Sequence, residues 1–211
     1  MNHRPRRGVP GPAVAPGAVR IVGGRWRGTR LAVTGAPGLR PTSDRVRETL
    51  FNWLMPALPG ARVLDLFAGS GALGFEAVSR GAASAVLVEQ HPTAAAALRE
   101  TVTRLGAQER IEVVQGDALR WLAAQPPAAF HIAFVDPPFA DGLWQDALTG
   151  LLPRLAGDAW LYLESPPAQA PVLPPDWPLH RELVTAQARA ALHRGPGRRG
   201  ADTLADADPA P

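Results

Sequence analysis

From residue 61 onward, short apolar runs alternate with longer segments in which apolar residues recur at helical spacing. The candidate strands are residues 62–66, 85–89, 111–114, 132–136 and 160–164, and the candidate helices include 92–105 and 143–155. Parallel strands need long crossover connections, usually helices, and continuous apolar runs are typical of strands that are buried on both faces. The sequence therefore predicts an α/β fold, a mostly parallel sheet with helices on both faces. Residues 179–192 favour one or two further strands that complete the sheet antiparallel, with a helix as the alternative.

Size and composition exclude several classes of protein. The chain has 211 residues and no cysteine, so disulfide frameworks, thiolate metal sites and a cysteine nucleophile are excluded. No apolar run approaches the ~20 residues that a membrane-spanning helix needs. The first twenty residues are basic and interrupted by prolines, and they lack the apolar stretch of a secretory signal. We expect a cytoplasmic protein with one main domain and an elaboration.

The elaboration lies at the N-terminal side. Residues 1–19 and 194–211 have no hydrophobic period, so we interpret them as a disordered basic arm and a disordered tail. Between them we expect an N-terminal extension over residues 20–58 and a main domain over 59–193. The extension is predicted to contain a β-hairpin within residues 19–33 and a helix over 44–55, which Ser43 or a neighbouring polar residue caps and Pro56 ends.

Positive charge is concentrated in and before this extension. All 22 basic residues are arginines, and ten of them lie in residues 1–47 together with one acid, Asp44. This part carries a net charge of +9 and the remainder −6, which sum to the net charge of +3. A basic appendage on a mildly acidic body is typical of a polyanion-binding appendage on a separate catalytic or structural domain.

The first strand of the main domain runs into a glycine-rich loop. Residues 63–74 read V-L-D-L-F-A-G-S-G-A-L-G, with the G-x-G-x-x-G spacing at Gly69, Gly71 and Gly74. Glycines allow a tight turn and a close approach of a ligand to the start of the next helix. Glu89 ends the following strand, where a carboxylate accepts hydrogen bonds from a ribose diol. This pattern fits either a dinucleotide or S-adenosylmethionine.

Two acids favour S-adenosylmethionine. Asp65 lies four residues before Gly69, where a carboxylate faces the ammonium group of an amino acid but repels a pyrophosphate. Asp117 follows the third strand of the main domain, where it is placed to accept a hydrogen bond from an adenine amino group. The alternative interpretation of Asp117 is an ordinary turn residue.

The tetrad Asp136-Pro137-Pro138-Phe139 follows the apolar run 132–135. Prolines have no N–H and fix the backbone, so the local carbonyls become rigid acceptors. If the Asp136 carboxylate and the Pro137 carbonyl each accept one N–H of an exocyclic amino group, the nitrogen lone pair points outward and the charge that develops during attack is stabilised. Phe139 is then placed to stack on the base. The alternative is a turn with Phe139 in the core.

These motifs resemble the class I S-adenosylmethionine-dependent methyltransferases that modify exocyclic amino nitrogens. Within them, the chain is similar to the RsmD family, bacterial 16S ribosomal RNA guanine-N2 methyltransferases, over about residues 20–193. The resemblance is carried by residues 24–28 (G-R-W-R-G), 39–52 (L-R-P-T-S-D-R-V-R-E-T-L-F-N), 65–74 and 134–139. It implies a Rossmann-like fold with a seven-stranded sheet.

The resemblance also implies an enzyme that uses S-adenosyl-L-methionine, needs no metal and acts as a monomer on 16S ribosomal RNA or the small ribosomal subunit. The cofactor-binding candidates are Asp65, Phe67, Ala68, Gly69, Ser70, Gly71, Glu89, Asp117 and Ala118. The catalytic candidates are Asp136, Pro137, Pro138 and Phe139. The RNA-binding candidates are Arg25, Arg27, Arg30, Arg40, Arg45 and Arg47.

Three other functions remain open from the residues. The same pair of acceptors fits an adenine-N6 or cytosine-N4 DNA methyltransferase, because it can hold any exocyclic amine. An NAD-linked oxidoreductase shares the glycine spacing, but Asp65 and the tetrad argue against it. A noncatalytic RNA-binding module would use the arginines alone and would bind RNA without turnover.

Overall fold

The extension opens with a short antiparallel hairpin in the computed structural model, which describes residues 17–33 and 43–197. Its strands are β1 (Ala18–Arg20) and β2 (Arg30–Ala32). Helix α1 (Asp44–Leu54) follows, and the side chain of Ser43 caps it by accepting the N–H of Val46 at 3.3 Å. Such a cap contributes about 1 kcal/mol. The predicted hairpin and helix are both confirmed.

The main sheet is built from seven strands in the described part of the chain. They are β3 (Arg62–Asp65), β4 (Ser84–Glu89), β5 (Ile111–Gln115), β6 (Phe130–Val135), β7 (Leu155–Ser165), β8 (Leu179–Val184) and β9 (Arg189–Arg194). Their spatial order is β5-β4-β3-β6-β7-β9-β8. Strands β3 to β7 run parallel, and β9 pairs antiparallel with β7 and β8. Both the parallel sheet and its antiparallel completion are as predicted.

Helices cover both faces of this sheet. They are α2 (Ala72–Ser79), α3 (Pro92–Arg104), α4 (Ala118–Ala123) and α5 (Trp144–Leu151). One apolar cluster joins α2, α3 and the extension to one face, and a second joins α4 and α5 to the other. Extension and main domain therefore share one core. No helix of the described residues has the length and hydropathy to cross a membrane.

Several boundaries differ from the prediction by one or two residues, and the largest differences lie between α5 and β7. The helix predicted over 143–155 ends at Leu151, because Pro153 lies in a 3₁₀ turn and cannot continue the helical hydrogen bonds. Strand β7 then begins at Leu155, not at 160, and its first residues pair with β6 through an irregular register. The segment Ala156-Gly157-Asp158 has weak β-propensity, which is why the apolar pattern did not show the start of the strand.

Buried polar contacts fix the extension to α2. Glu76 is fully buried, and its carboxylate accepts the N–H of Val22 at 2.7 Å and the Nε–H of Arg80 at 2.6 Å. One turn later, the hydroxyl of Ser79 accepts the N–H of Trp26 at 2.9 Å. The same helix starts at the glycine-rich loop, so these contacts tie the hairpin to the element that carries the candidate cofactor site.

Candidate active site

The glycine-rich loop joins β3 to α2 with two residues in the left-handed region. Gly69 has φ +52° and Gly71, which precedes the first residue of α2, has φ +74°. A Cβ on Gly71 would lie 2.6 Å from Leu98, so side chains are excluded there. A Cβ on Gly69 would meet nothing within 4 Å and would occupy the cleft itself. The loop thus leaves room for a ligand close to the start of α2.

Asp65 lies at the end of β3, below this loop. It is only 3% exposed, and its Oδ2 accepts the N–H of Gly74 at 2.9 Å. Burial raises the pKa of Asp65 to about 7, the hydrogen bond from Gly74 lowers it, and the charge of Glu89 raises it. Because burial dominates, this carboxylate gains stability from any cation that enters the cleft.

Glu89 ends β4 and holds the loop from the other side. Its Oε2 accepts the N–H of Gly69 at 2.8 Å, and its Oε1 accepts the N–H of His91 at 2.7 Å. Each carboxylate oxygen can accept a second hydrogen bond, so both stay able to bind a hydroxyl pair. Glu89 therefore shapes the cleft and also lines it.

Asp117 lies at the end of the neighbouring β5. It caps α4, where its Oδ1 accepts the N–H of Arg120 at 2.8 Å. The residue is exposed and lines the cleft with Ala118. The structural and the ligand-binding interpretations of Asp117 are compatible, because the second carboxylate oxygen is not used by the cap.

The tetrad begins directly after β6. Asp136 is half-buried and lines the cleft. Burial raises the pKa of Asp136 well above its usual value, and the charges of Glu164 and Asp65 raise it further. A carboxylate that is shielded from water at the wall of a cleft can accept an N–H from a ligand.

The rest of the tetrad forms the rim. The carbonyl of Pro138 accepts the N–H of Asp141 at 3.0 Å, whereas no N–H of the described chain engages the carbonyl of Pro137. Phe139 is 38% exposed, and its ring lies 5.6 Å from that of Trp144 with an interplanar angle of 49°. The aromatic ring is thus outside the core, contrary to the alternative interpretation, which put Phe139 in the core, although a 3₁₀ turn does form over Phe139–Asp141.

These elements meet in one cleft of about 220 Å³ at the carboxyl ends of β3 to β6. Among the residues predicted as sites, those lining it are Asp65, Phe67, Ala68, Gly69, Ser70, Glu89, Asp117, Ala118, Asp136 and Pro138. Gly71, Pro137 and Phe139 lie beside the cleft and not on its wall. The carboxylates, the open glycine and the apolar wall suit a ligand that carries an ammonium group, a ribose and an apolar portion.

The predicted RNA-binding arginines divide into three groups. The exposed ones are Arg25, Arg27, Arg30 and Arg45. Arg40 lies outside the described residues. Arg47 requires a correction, because its side chain is fully buried and donates to the carbonyl of Arg20 at 2.6 Å and to Asp44 at 2.8 Å. In this position it stabilises the extension and does not face an RNA.

Sequence reasoning missed three residues behind the cleft. Tyr162 and Glu164 lie near the end of β7, and the phenol donates to Glu164 Oε2 at 2.8 Å. The indole Nε1–H of Trp144 donates to the carbonyl of Glu164, also at 2.8 Å. The only signal in the sequence is an acid at the end of a predicted strand, the feature that identified Asp65 and Glu89.

Comparison with known proteins agrees with this geometry. Residues 19–194 match the model of a family described as conserved hypothetical protein 95. The chain is 45% identical over 195 residues to ribosomal RNA small subunit methyltransferase D of Escherichia coli K12, covering 91% of this chain and 96% of that protein. For the protein of the same name in Haemophilus influenzae the identity is 41%, over 85% of this chain and 95% of that protein.

A solved structure adds the fold. The chain is similar to the Escherichia coli protein yhhF, named there as a methyltransferase candidate, with a TM-score of 0.77 and 43% identity over 85% of this chain and 98% of that one. The family model, the relatives and the solved structure all match nearly the same residues of this chain. The chain belongs to the RsmD family, that of the ribosomal RNA small subunit methyltransferases D.

Proposed function

We propose that this protein transfers a methyl group from S-adenosylmethionine to the exocyclic N2 of one guanine in 16S ribosomal RNA. The observation that carries the proposal is the position of Asp136, a half-buried carboxylate in the same cleft as Asp65 and Glu89. The RNA substrate is supported by the printed names of the relatives. A ribosomal substrate places this activity in the cytoplasm.

Three carboxylates would hold the methyl donor. Asp65 is placed for its ammonium group, Glu89 for the ribose hydroxyls and Asp117 for the adenine amino group. When bound, S-adenosylmethionine supplies an electrophilic methyl on a sulfonium. The chain holds Glu89 and Gly69 in fixed positions before any ligand arrives, so less conformational entropy is lost on binding.

The tetrad would hold the target amine. A guanine amino group is a poor nucleophile because its lone pair is delocalised into the ring. Asp136 and the carbonyl of Pro137 each accept one N–H, which directs the lone pair away from both acceptors. Phe139 rests on Trp144 and presents its exposed side to the base. Because this site reads a single base, the guanine must leave its stack before it enters.

A methylation assay tests the proposal. The protein is incubated with S-adenosylmethionine labelled on the methyl group and, separately, with naked 16S ribosomal RNA, assembled small subunits and duplex DNA. We expect label on guanine N2 of RNA or of the subunit, identified by mass mapping. Label on adenine N6 or cytosine N4 of DNA would contradict the proposal and support a DNA methyltransferase. RNA binding without any transfer would indicate a noncatalytic module.

A further inference from the structure

A second carboxylate lies beside Asp136 in the sheet. Strands β6 and β7 are parallel neighbours in which Val135 is opposite Leu163, so Asp136 and Glu164 follow in the same register. Side chains of directly opposite residues point to the same face, and neighbouring strands are about 4.8 Å apart. Two residues earlier, the rings of Phe134 and Tyr162 meet on that face with centroids 6.1 Å apart.

Glu164 is held firmly behind Asp136. It is 7% exposed and does not line the cleft. The fully buried phenol of Tyr162 donates to its carboxylate at 2.8 Å, and the indole of Trp144 donates to its carbonyl at 2.8 Å. A carboxylate fixed in this way acts on the cleft through its charge and not through contact with a ligand.

Other acidic side chains lie around Asp136 on this face of the sheet. Asp65 of β3 is opposite Phe134 in the register and therefore points to the same side of the sheet. Asp65, Glu164 and the phenol of Tyr162 thus face Asp136 from the two flanking strands, and Asp141 lies at the mouth of the cleft. Acids that crowd a desolvated site share protons and titrate as a unit.

We propose that Asp136 and Glu164 form a carboxyl pair that accepts the proton which guanine N2 loses on methylation. This inference rests on the proposed function. Asp136 touches the amine, and Glu164 is a positioning residue that acts through Asp136 and is itself held by Tyr162. The pair gives the departing proton a place inside the cleft.

The balance of the step is simple. The N2 lone pair forms a bond to the methyl carbon, and the carbon–sulfur bond breaks with its electrons on sulfur. N2 then carries one proton in excess and releases it to Asp136. Before the step the reactants hold one positive charge on sulfur and the pair holds two negative charges. Afterwards sulfur and the base are neutral, and the pair holds one negative charge and one proton.

The charges explain why the proton moves at that moment. A sulfonium in the cleft allows both carboxylates of the pair to ionise. When its charge is lost, two adjacent anions remain in a desolvated site, and the affinity of the pair for a proton rises. The methylated nitrogen becomes acidic in the same step. The nitrogen therefore gives up its proton, and the carboxyl pair accepts it, only after the methyl has moved.

Calorimetry in buffers of different ionisation enthalpy tests the pair without turnover. The full chain is titrated near pH 7 with S-adenosylmethionine, which carries the sulfonium, and with S-adenosylhomocysteine, which does not. We expect wild type to release more protons with the first ligand than with the second. Glu164→Gln should lose at least about half of this difference. The matched control Glu112→Gln, an exposed acid on β5, should keep it.

Tyr162→Phe gives a second variant, which keeps the ring and removes the hydroxyl. We expect it to lose a smaller part of the difference, because the carboxylate of Glu164 then lacks the hydrogen bond that holds it beside Asp136. A single-turnover pH profile with RNA should also move, with the acidic limb of Glu164→Gln at lower pH than that of wild type. A merely structural role would lower the rate without moving the limb.

The outcomes separate the two hypotheses. If wild type binds and methylates but Glu164→Gln keeps both the proton difference and the pH profile, the carboxyl pair is wrong and the proposed function stands. If wild type fails to bind S-adenosylmethionine, both are overturned. If the difference is lost in Glu164→Gln and retained in Glu112→Gln, the pair is supported.

Discussion

The buried carboxyl group of Asp65 lowers the stability of the unliganded protein at neutral pH and favours the binding of a cationic ligand. Its carboxyl group is buried and accepts one backbone hydrogen bond, so the folded chain favours its protonated form. The unfolded chain, with a pKa near the usual 3.8, favours the anion at neutral pH. Between these two values the folded state binds more protons than the unfolded state. The contribution of Asp65 to stability is therefore present at low pH and is lost as the pH rises to about 7.

The variant Asp65→Asn should remove this loss. We expect the unliganded variant to be more stable than wild type above pH 7, by at most on the order of 4 kcal/mol, because three units of pKa correspond to that free energy. Urea unfolding from pH 4 to 8 measures it. Binding of S-adenosylhomocysteine should weaken in the same variant. A stability difference that is constant over this pH range would contradict the assignment.

At Asp136 the expected loss is in turnover. Asp136→Ala removes a preorganised acceptor of the target amine, and we expect turnover to fall on the order of 10²-fold or more. Single-turnover methylation of small subunits measures the change, while cofactor affinity reports on the intact cleft. Asp158→Ala, at the opposite end of the sheet, serves as the control. If the Asp136 variant kept near-full turnover, Asp136 would not be a catalytic residue.

Among the elements, the hairpin carries the exposed charge of the extension. Arg25 and Arg27 lie in its loop and face solvent, which suits contacts to phosphates. Replacing both with alanine should weaken RNA binding and lower the salt slope of log K by about one to two, because fewer counterions are released. Binding measured from 50 to 300 mM salt gives the slope. Arg120→Ala with Arg181→Ala removes equal charge from other surfaces and should leave the slope unchanged.

The elements also show what a sequence can reveal. Apolar runs, glycine spacing and acids at strand ends were local signals, so the sheet, its antiparallel completion and the lining of the cleft were predictable. The burial of Arg47 was not predictable, because it depends on a contact with the carbonyl of Arg20 and on the packing around α1. Glu164 was missed for the same reason, since its meaning arises only from the register of β7 with β6.

For the molecule as a whole, stability depends on the junction between the extension and the main domain. Glu76→Ala leaves the N–H of Val22 without its acceptor and Arg80 without its ion partner. We expect a loss of roughly 2–4 kcal/mol in the free energy of unfolding, as for other broken buried pairs. Chemical denaturation measures it, with Glu48→Ala on the exposed side of α1 as the control. A loss below that of the control would show that the junction is weak.

The same junction limits how this enzyme can be engineered. Glu76 and Ser79 belong to the helix that begins at the glycine-rich loop, but their partners Val22 and Trp26 belong to the hairpin. Trimming the chain to residues 59–193 would leave Glu76 without the N–H of Val22 and would expose the apolar surface that the extension covers. Grafting a foreign RNA-targeting arm onto this catalyst consequently requires keeping the native hairpin and attaching the new arm ahead of it.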